Sequence, residues 1–229
     1  MISDAWLIAK KDLRIEFFSR VTLAQIMPFG ILNLVLYGFA LSPDLKIVGD
    51  GRSVLEQVAP GLFWLAVLFS AIMALGRSFA VEATDGKLDA LQMAGIDPAG
   101  VFIGKTLAVS VQIVLLELVL GLAAWLMFGP PVANAALLLT TVLITTLAIA
   151  SVGTLYAAIT AGTRVRDTLA PLLVLPVLTP VLLGATLASD AALFGPTSDG
   201  TPWLLLIAVF TLLFVGIGML AFGSLLEES

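Results

Sequence analysis

"FAVEATDGKLDALQMAGIDP", residues 79–98, is the most polar stretch of an otherwise strongly apolar chain. It carries Glu82, Asp85, Asp89 and Asp97, together with Lys87, two glycines and Pro98. A helix needs about 20 apolar residues to cross the roughly 30 Å of bilayer hydrocarbon. The runs at 58–76 and 106–129 on either side of the polar island meet that length. The island therefore reads as a segment that leaves the membrane between two crossings. Working outward, further runs of spanning length lie at 21–41, 135–162, 168–188 and 202–223. The expected fold is an all-α, polytopic membrane protein with six transmembrane helices in one domain, residues 1–229. The run at 135–162 is long for one crossing, so it is expected to tilt or to extend beyond the bilayer. The run at 168–188 holds Pro171, Pro176 and Pro180, which remove three backbone donors and are expected to bend or break that helix.

Composition agrees with this reading. Of 229 residues, 60% are hydrophobic and 12% charged, where soluble domains carry about 25% charged residues. The mean hydropathy is +1.11. Cysteine and histidine are both absent, which excludes disulfides, thiolate nucleophiles and histidine-ligated zinc or haem iron. The net charge of −5 says less than its distribution. With six crossings, nine of the 11 basic residues (Lys10, Lys11, Arg14, Arg20, Arg77, Lys87, Lys105, Arg164, Arg166) fall on one side, and only Lys46 and Arg52 on the other. The positive-inside rule then places both termini and residues 79–98 in the cytoplasm. No cleavable signal peptide, soluble domain or internal repeat is expected, because the first apolar run begins only at Val21 and spans.

Residues 1–20 carry Ile2, Trp6, Ala9, Leu13 and Phe17 at steps of three and four, a helical apolar face. Lys10, Lys11 and Arg14 lie elsewhere on that helix, with Asp4, Asp12 and Glu16. The pattern suits an interfacial helix, with its apolar face in lipid and its cations near anionic headgroups. The alternative is a solvated cap leading into the first crossing.

Within the polar island, a short helix is expected to start near Thr84–Asp85 with Asp85 as N-cap, to place Leu88 and Leu91 on one face, and to end at Gly95. Pro98 is expected to block its resumption. Such a helix exposes Glu82, Asp85, Lys87 and Asp89 to the cytoplasm. It is either a tethered linker or a docking element for a cytoplasmic motor. The chain carries no phosphate-binding loop of its own. "GIDPAGVFIGKT" (95–106) ends like one, but the position of the required first glycine holds Ala99, and no strand precedes it. Any ATP is handled by another polypeptide.

"DLRIEFFSR" (12–20), "APGLFW" (59–64), "FAVEATDGKLDAL" (79–91) and the proline-rich "VLPVLTPVLLGAT" (174–186) together resemble the B subunit of the haem exporter of cytochrome c maturation, the membrane permease of an ABC transporter. The resemblance covers nearly the whole chain. It departs from the family at Asp89, where Glu is frequent, and around 76–78, where only Arg77 is charged. The resemblance implies an ABC-2-type permease architecture with an N-terminal interfacial helix in the bacterial inner membrane. It also implies a cytoplasmic ATPase subunit, a second copy of this chain, and a haem-handling membrane subunit with histidine ligands. Surrounding lipids complete the partner set, with no nucleic acid. Glu82, Asp85, Gly86, Lys87, Leu88, Asp89 and Leu91 would then form the coupling helix that touches the ATPase. ATP would bind the partner, haem would be cargo, and this chain would hold no cofactor or metal and no catalytic residue.

Two further features bear on mechanism. Glu117 falls midway along 106–129, where a carboxylate costs on the order of 2.5–3.5 kcal/mol unless neutral or paired. Gln112 and Asn33 are candidate partners. Glu117 is either a proton-relay or gate residue, or a neutral acid bonded across helices, and the absence of an intramembrane base favours the second. Pro176 and Pro180 weaken one patch of the fifth crossing, with Thr179 able to satisfy a freed carbonyl. They make either a fixed kink or a hinge. Gly184, Ala185 and Ala188 nearby would allow close helix packing in a dimer, and Arg164 and Arg166 either satisfy the orientation rule with no further role or offer a second contact to the ATPase. Three functions fit these residues: an ABC permease subunit without catalytic residues, an ion-coupled secondary transporter centred on Glu117, and a non-transporting membrane scaffold of a haem-handling complex.

Overall fold

The structure, a computed structural model, describes residues 1–19, 25–41, 52–83, 97–160, 166–195 and 199–227, with backbone alone at 19, 76–83, 166–168, 170 and 225–227. The described residues form seven helices: α1 (Ile2–Ser19), α2 (Met27–Ala40), α3 (Val54–Ala83), α4 (Pro98–Phe128), α5 (Ala135–Thr160), α6 (Arg166–Phe194) and α7 (Thr201–Glu227). Five stretches are long and apolar enough to cross a membrane: Val54–Leu75, Pro98–Phe128, Ala135–Thr160, Pro171–Phe194 and Thr201–Ser224. The chain is a helical, multi-pass membrane protein. The expected first crossing, 21–41, is represented by α2, whose 14 residues span about 21 Å at 1.5 Å per residue.

Local chemistry sets the helix ends. Ser53 and Glu56 form a reciprocal box at the start of α3: the Ser53 N–H donates to Glu56 Oε2 (2.8 Å) and the Glu56 N–H to Ser53 Oγ (3.1 Å). Asp97 caps α4 by accepting from the Ala99 N–H, with Pro98 pre-set for the first turn. Pro98 therefore opens a helix, where the sequence reading had it only blocking one, because Asp97 ahead of it supplies the cap. Gly129 ends α4 in the left-handed region (φ +55°) and donates to the Trp125 carbonyl. Asn134 Oδ1 accepts the Leu137 N–H at the start of α5. Asp199 Oδ1 accepts the Thr201 N–H ahead of α7, and this bond holds the Asp199 carboxyl below its ordinary value.

The core lies between α3, α4, α5 and α6, with Trp64, Leu68, Ile113, Leu116, Leu120, Ile149, Leu178 and Val181 buried together. The outward surfaces stay apolar, with Leu126 on α4, Leu139 on α5, Leu172 on α6 and Leu220 on α7 all exposed, as lipid-facing positions must be. Small residues let helices approach closely. Gly153 of α5 receives the side chain of Leu75, and Gly218 of α7 receives the ring of Phe102. The three prolines of α6 do not interrupt it: the helix runs from Arg166 to Phe194, and Thr179 Oγ1 donates to the Leu175 carbonyl. Of the expected bend or break, the break is absent: α6 stays helical through all three prolines, with bundle packing holding the path where three backbone donors are missing.

Candidate functional site

The first place where charge enters the bundle is the crossing of α1 over the start of α4. Glycine makes the crossing close. A Cβ on Gly104 would lie 2.6 Å from the Ala5 carbonyl oxygen and 2.8 Å from Ile8 Cβ, and one on Gly100 would lie 3.0 Å from the Met1 carbonyl oxygen. Ala5, Ile8, Ala9 and Asp12 are the buried residues of α1. Ala9 was expected in lipid with Ile2, Trp6, Leu13 and Phe17. It packs inward, because its small side chain suits the glycine-lined crossing, while Leu13 is half-buried and the other three remain exposed. Next to Gly104, Lys105 is fully buried (0% exposed), and its Nζ lies 3.3 Å from Oδ2 of Asp12, itself 9% exposed. Lys11 Nζ lies 3.0 Å from the other oxygen of Asp12. Lys105, read from sequence as a loop cation, is thus an interior residue of α4. At the amino end of α1, the Met1 amino group, 3.0 Å from Asp4, holds that carboxyl below its ordinary value.

Glu117 lies near the middle of α4 and is 4% exposed. Its Oε2 accepts from Thr146 Oγ1 of α5 at 2.6 Å, and Oε1 has no hydrogen-bond partner. Neither expected partner fills the role of Thr146. Asn33 donates to the Phe29 carbonyl of its own helix, and Gln112 stands on α4 itself. Thr146 carried no distinguishing signal, since α5 holds six threonines and only the helix register selects one of them.

The opposite end of the bundle is closed by side chains expected only as an outer-side cation, Arg52, and an acidic outer loop starting at Ser189, whose first residues, Ser189–Phe194, instead continue α6. Arg52 Nη1 donates to Asp190 Oδ1 at 2.9 Å, and its guanidinium lies 4.9 Å from the Phe194 ring centroid. Nearly three turns into α3, the Trp64 indole donates to Ser189 Oγ at 3.0 Å. Both contacts tie α3, or the second residue ahead of it, to the last third of α6. The turn between α4 and α5 is pinned there too, since Ala133 and Asn134 donate backbone N–H groups to the Leu193 and Ala192 carbonyls.

Of the expected coupling residues, Asp85, Gly86, Lys87, Leu88, Asp89 and Leu91 lie outside the described residues, and Glu82 is described by its backbone in the last turn of α3. The frame on both sides is visible. α3 continues to Ala83 and α4 begins at Pro98, so 14 residues join two membrane-crossing helices. Pro176 and Pro180 both sit within α6. Among the described residues, no group of three His, Cys, Asp or Glu side chains could hold a metal ion.

The model of the CcmB protein family matches residues 3–229. The chain belongs to the CcmB family. The CcmB match runs from α1 to the end of α7, and so includes the α1–α4 crossing, Glu117 and the Arg52–Asp190 pair. Heme exporter protein B of Bradyrhizobium diazoefficiens is 31% identical over 185 residues, covering 79% of this chain and 78% of its own. Heme exporter protein B of Paracoccus denitrificans is 28% identical over 232 residues, covering 95% of each chain. That of Escherichia coli K12 is 27% identical over 195 residues, covering 85% and 86%.

Proposed function

We propose that this chain is the membrane-spanning subunit of a haem exporter. It would couple ATP hydrolysis on a separate cytoplasmic subunit to export of haem, or release of a haem-loaded chaperone, for assembly of c-type cytochromes. The observation that carries this reading is the CcmB match over residues 3–229, with relatives named heme exporter protein B along most of their length. In this reading the chain takes the six-crossing ABC-2-type arrangement, α2 and its flanking residues supply the first crossing, and both termini are cytoplasmic in a bacterial inner membrane.

The 14 residues between α3 and α4 are the lever. A motor in the cytoplasm moves membrane helices only through an element that is joined stiffly to them. α3 runs continuously to Ala83 and α4 opens under the Asp97 cap, which supports the role. Glu82, Asp85, Gly86, Lys87, Leu88, Asp89 and Leu91 make the contact, and Pro176 and Pro180 give α6 a hinge. Haem is cargo and not a resident group. With no histidine in the chain, its axial ligation falls to a partner membrane subunit. The placement of Glu117 against Thr146 supports a packing role for that carboxyl over a proton relay.

Affinity purification of the full chain from its membrane, followed by ATPase assay, tests the reading. An ATP-hydrolysing subunit is expected to accompany the parent chain and to be lost with Asp85→Lys or Leu88→Asp. Retention of the ATPase in both variants refutes the lever. Haem attachment to cytochrome c that proceeds unchanged when the ATPase subunit is inactivated would leave the scaffold reading standing instead.

A further inference from the structure

The side of α1 turned away from α4 is unlike the rest of the bundle surface. It forms a shallow, wide-open cleft along the surface of α1 itself, lined by Leu7, Lys10, Lys11, Arg14, Ile15 and Phe18 of that one helix. These positions recur at steps of three and four over three turns, so cationic heads and apolar bodies alternate along one face. The Arg14 guanidinium lies 5.8 Å from the Phe18 ring centroid, which aligns the charge with the apolar wall. Leu7 and Phe18 are exposed, as are Trp6 and Phe17 beside them. The sequence reading assigned one apolar face to this helix. The structure has a second, Leu7–Ile15–Phe18, interleaved with the cations.

We propose that this cleft is a binding site for an anionic glycerophospholipid, with the headgroup phosphate held by Lys10 and Arg14 and an acyl chain lying along Leu7, Ile15 and Phe18. Two observations select this occupant. The opposite face of α1 is packed on the first two turns of α4, a membrane-crossing helix, so the cleft stands at the bilayer boundary where acyl chain and phosphate occur together. The lining also matches such an amphiphile in charge and in polarity, where an inorganic anion would leave the apolar wall uncovered. Lys11 is engaged with Asp12, so Lys10 and Arg14 are the cations assigned to the ligand. This site does not depend on the transport reading given above.

The test uses the full chain in nanodiscs of mixed phosphatidylglycerol and phosphatidylcholine, extracted gently and read by native mass spectrometry. Phosphatidylglycerol is expected to be retained in preference to phosphatidylcholine. The Lys10→Gln/Arg14→Gln variant is expected to lose that preference by about 25-fold at low salt, fivefold for each charge near the surface. Lys10→Arg/Arg14→Lys keeps it, Leu7→Gln/Ile15→Gln weakens it, and raised salt erodes it. Equal retention of the two lipids, or unchanged phosphatidylglycerol retention in the charge-free variant, overturns the proposal. So does loss of a co-purifying soluble protein from that variant with its lipid unchanged, which assigns the cleft to an acidic protein surface.

Discussion

Lys105 and Asp12 give the sharpest quantitative test of how α1 is held. The ammonium is fully buried and the carboxylate nearly so, at 3.3 Å. Breaking a buried pair by removing one partner costs about 3–5 kcal/mol, because the remaining charge stays in a poor solvent. Lys105→Met leaves the Asp12 carboxylate with Lys11 at 3.0 Å, a cation that reaches water, so its cost is expected at the lower end, about 3 kcal/mol. Asp12→Asn removes the carboxylate from beside a fully buried ammonium, and a cost within the same range of about 3–5 kcal/mol is expected. The double change Asp12→Leu/Lys105→Met removes both charges. It is expected to be close to neutral, as hydrophobic replacement of whole buried pairs is. Denaturant unfolding of the purified chain in micelles measures all four proteins, and the double-mutant cycle isolates the coupling. A coupling above about 2 kcal/mol is expected. Single variants within about 0.5 kcal/mol of the parent would place the pair in the class of solvent-exposed ion pairs and refute the buried clamp.

Three other substitutions probe further features. Gly104→Leu drives a side chain into the Ala5 carbonyl and Ile8, so α1 should detach from α4, at a cost of about 1–3 kcal/mol or more, and residues 1–19 should become sensitive to added protease. An α1 that stays protease-resistant in that variant contradicts the close crossing. Glu117→Gln is expected to keep assembly and most haem attachment, since the amide oxygen still accepts from Thr146. Thr146→Val, which strands a buried acid, should destabilise by about 1–3 kcal/mol in the same unfolding assay. Loss of haem attachment in a folded Glu117→Gln protein would return the carboxyl to a transport role.

The crossings after the first were legible because apolar runs of spanning length are a local property of the chain. Their ends were less so. α4 starts eight residues before the expected 106, since Val101 and Phe102 pack against Phe222 and Leu155 beyond the polar island. What sequence could not supply is pairing across distance. Lys105 looked like a loop cation until α1, 93 residues earlier, brought Asp12 to it. Arg52 counted only toward orientation, yet it meets Asp190 138 residues later. Glu117 was recognisable as a costly intramembrane acid from its position alone, while its donor depended on the register between α4 and α5. The expected coupling residues from Asp85 to Leu91 rest on resemblance, and the structure describes the helices on either side of them.

The fit of Phe102 into Gly218, and of Leu75 into Gly153, constrains the order in which this chain can change. A side chain added at Gly218 while the phenyl ring is in place has nowhere to go. Shrinking Phe102 first opens a void, whose penalty of about 3–5 kcal/mol a lineage must survive before the glycine is released. Each path between two such sequences thus passes through a weakened intermediate. Residues 102 and 218, and likewise 75 and 153, are expected to be inherited as matched sets, and transplanting one member into a relative that lacks the other should fail even where the rest of the helix is interchangeable.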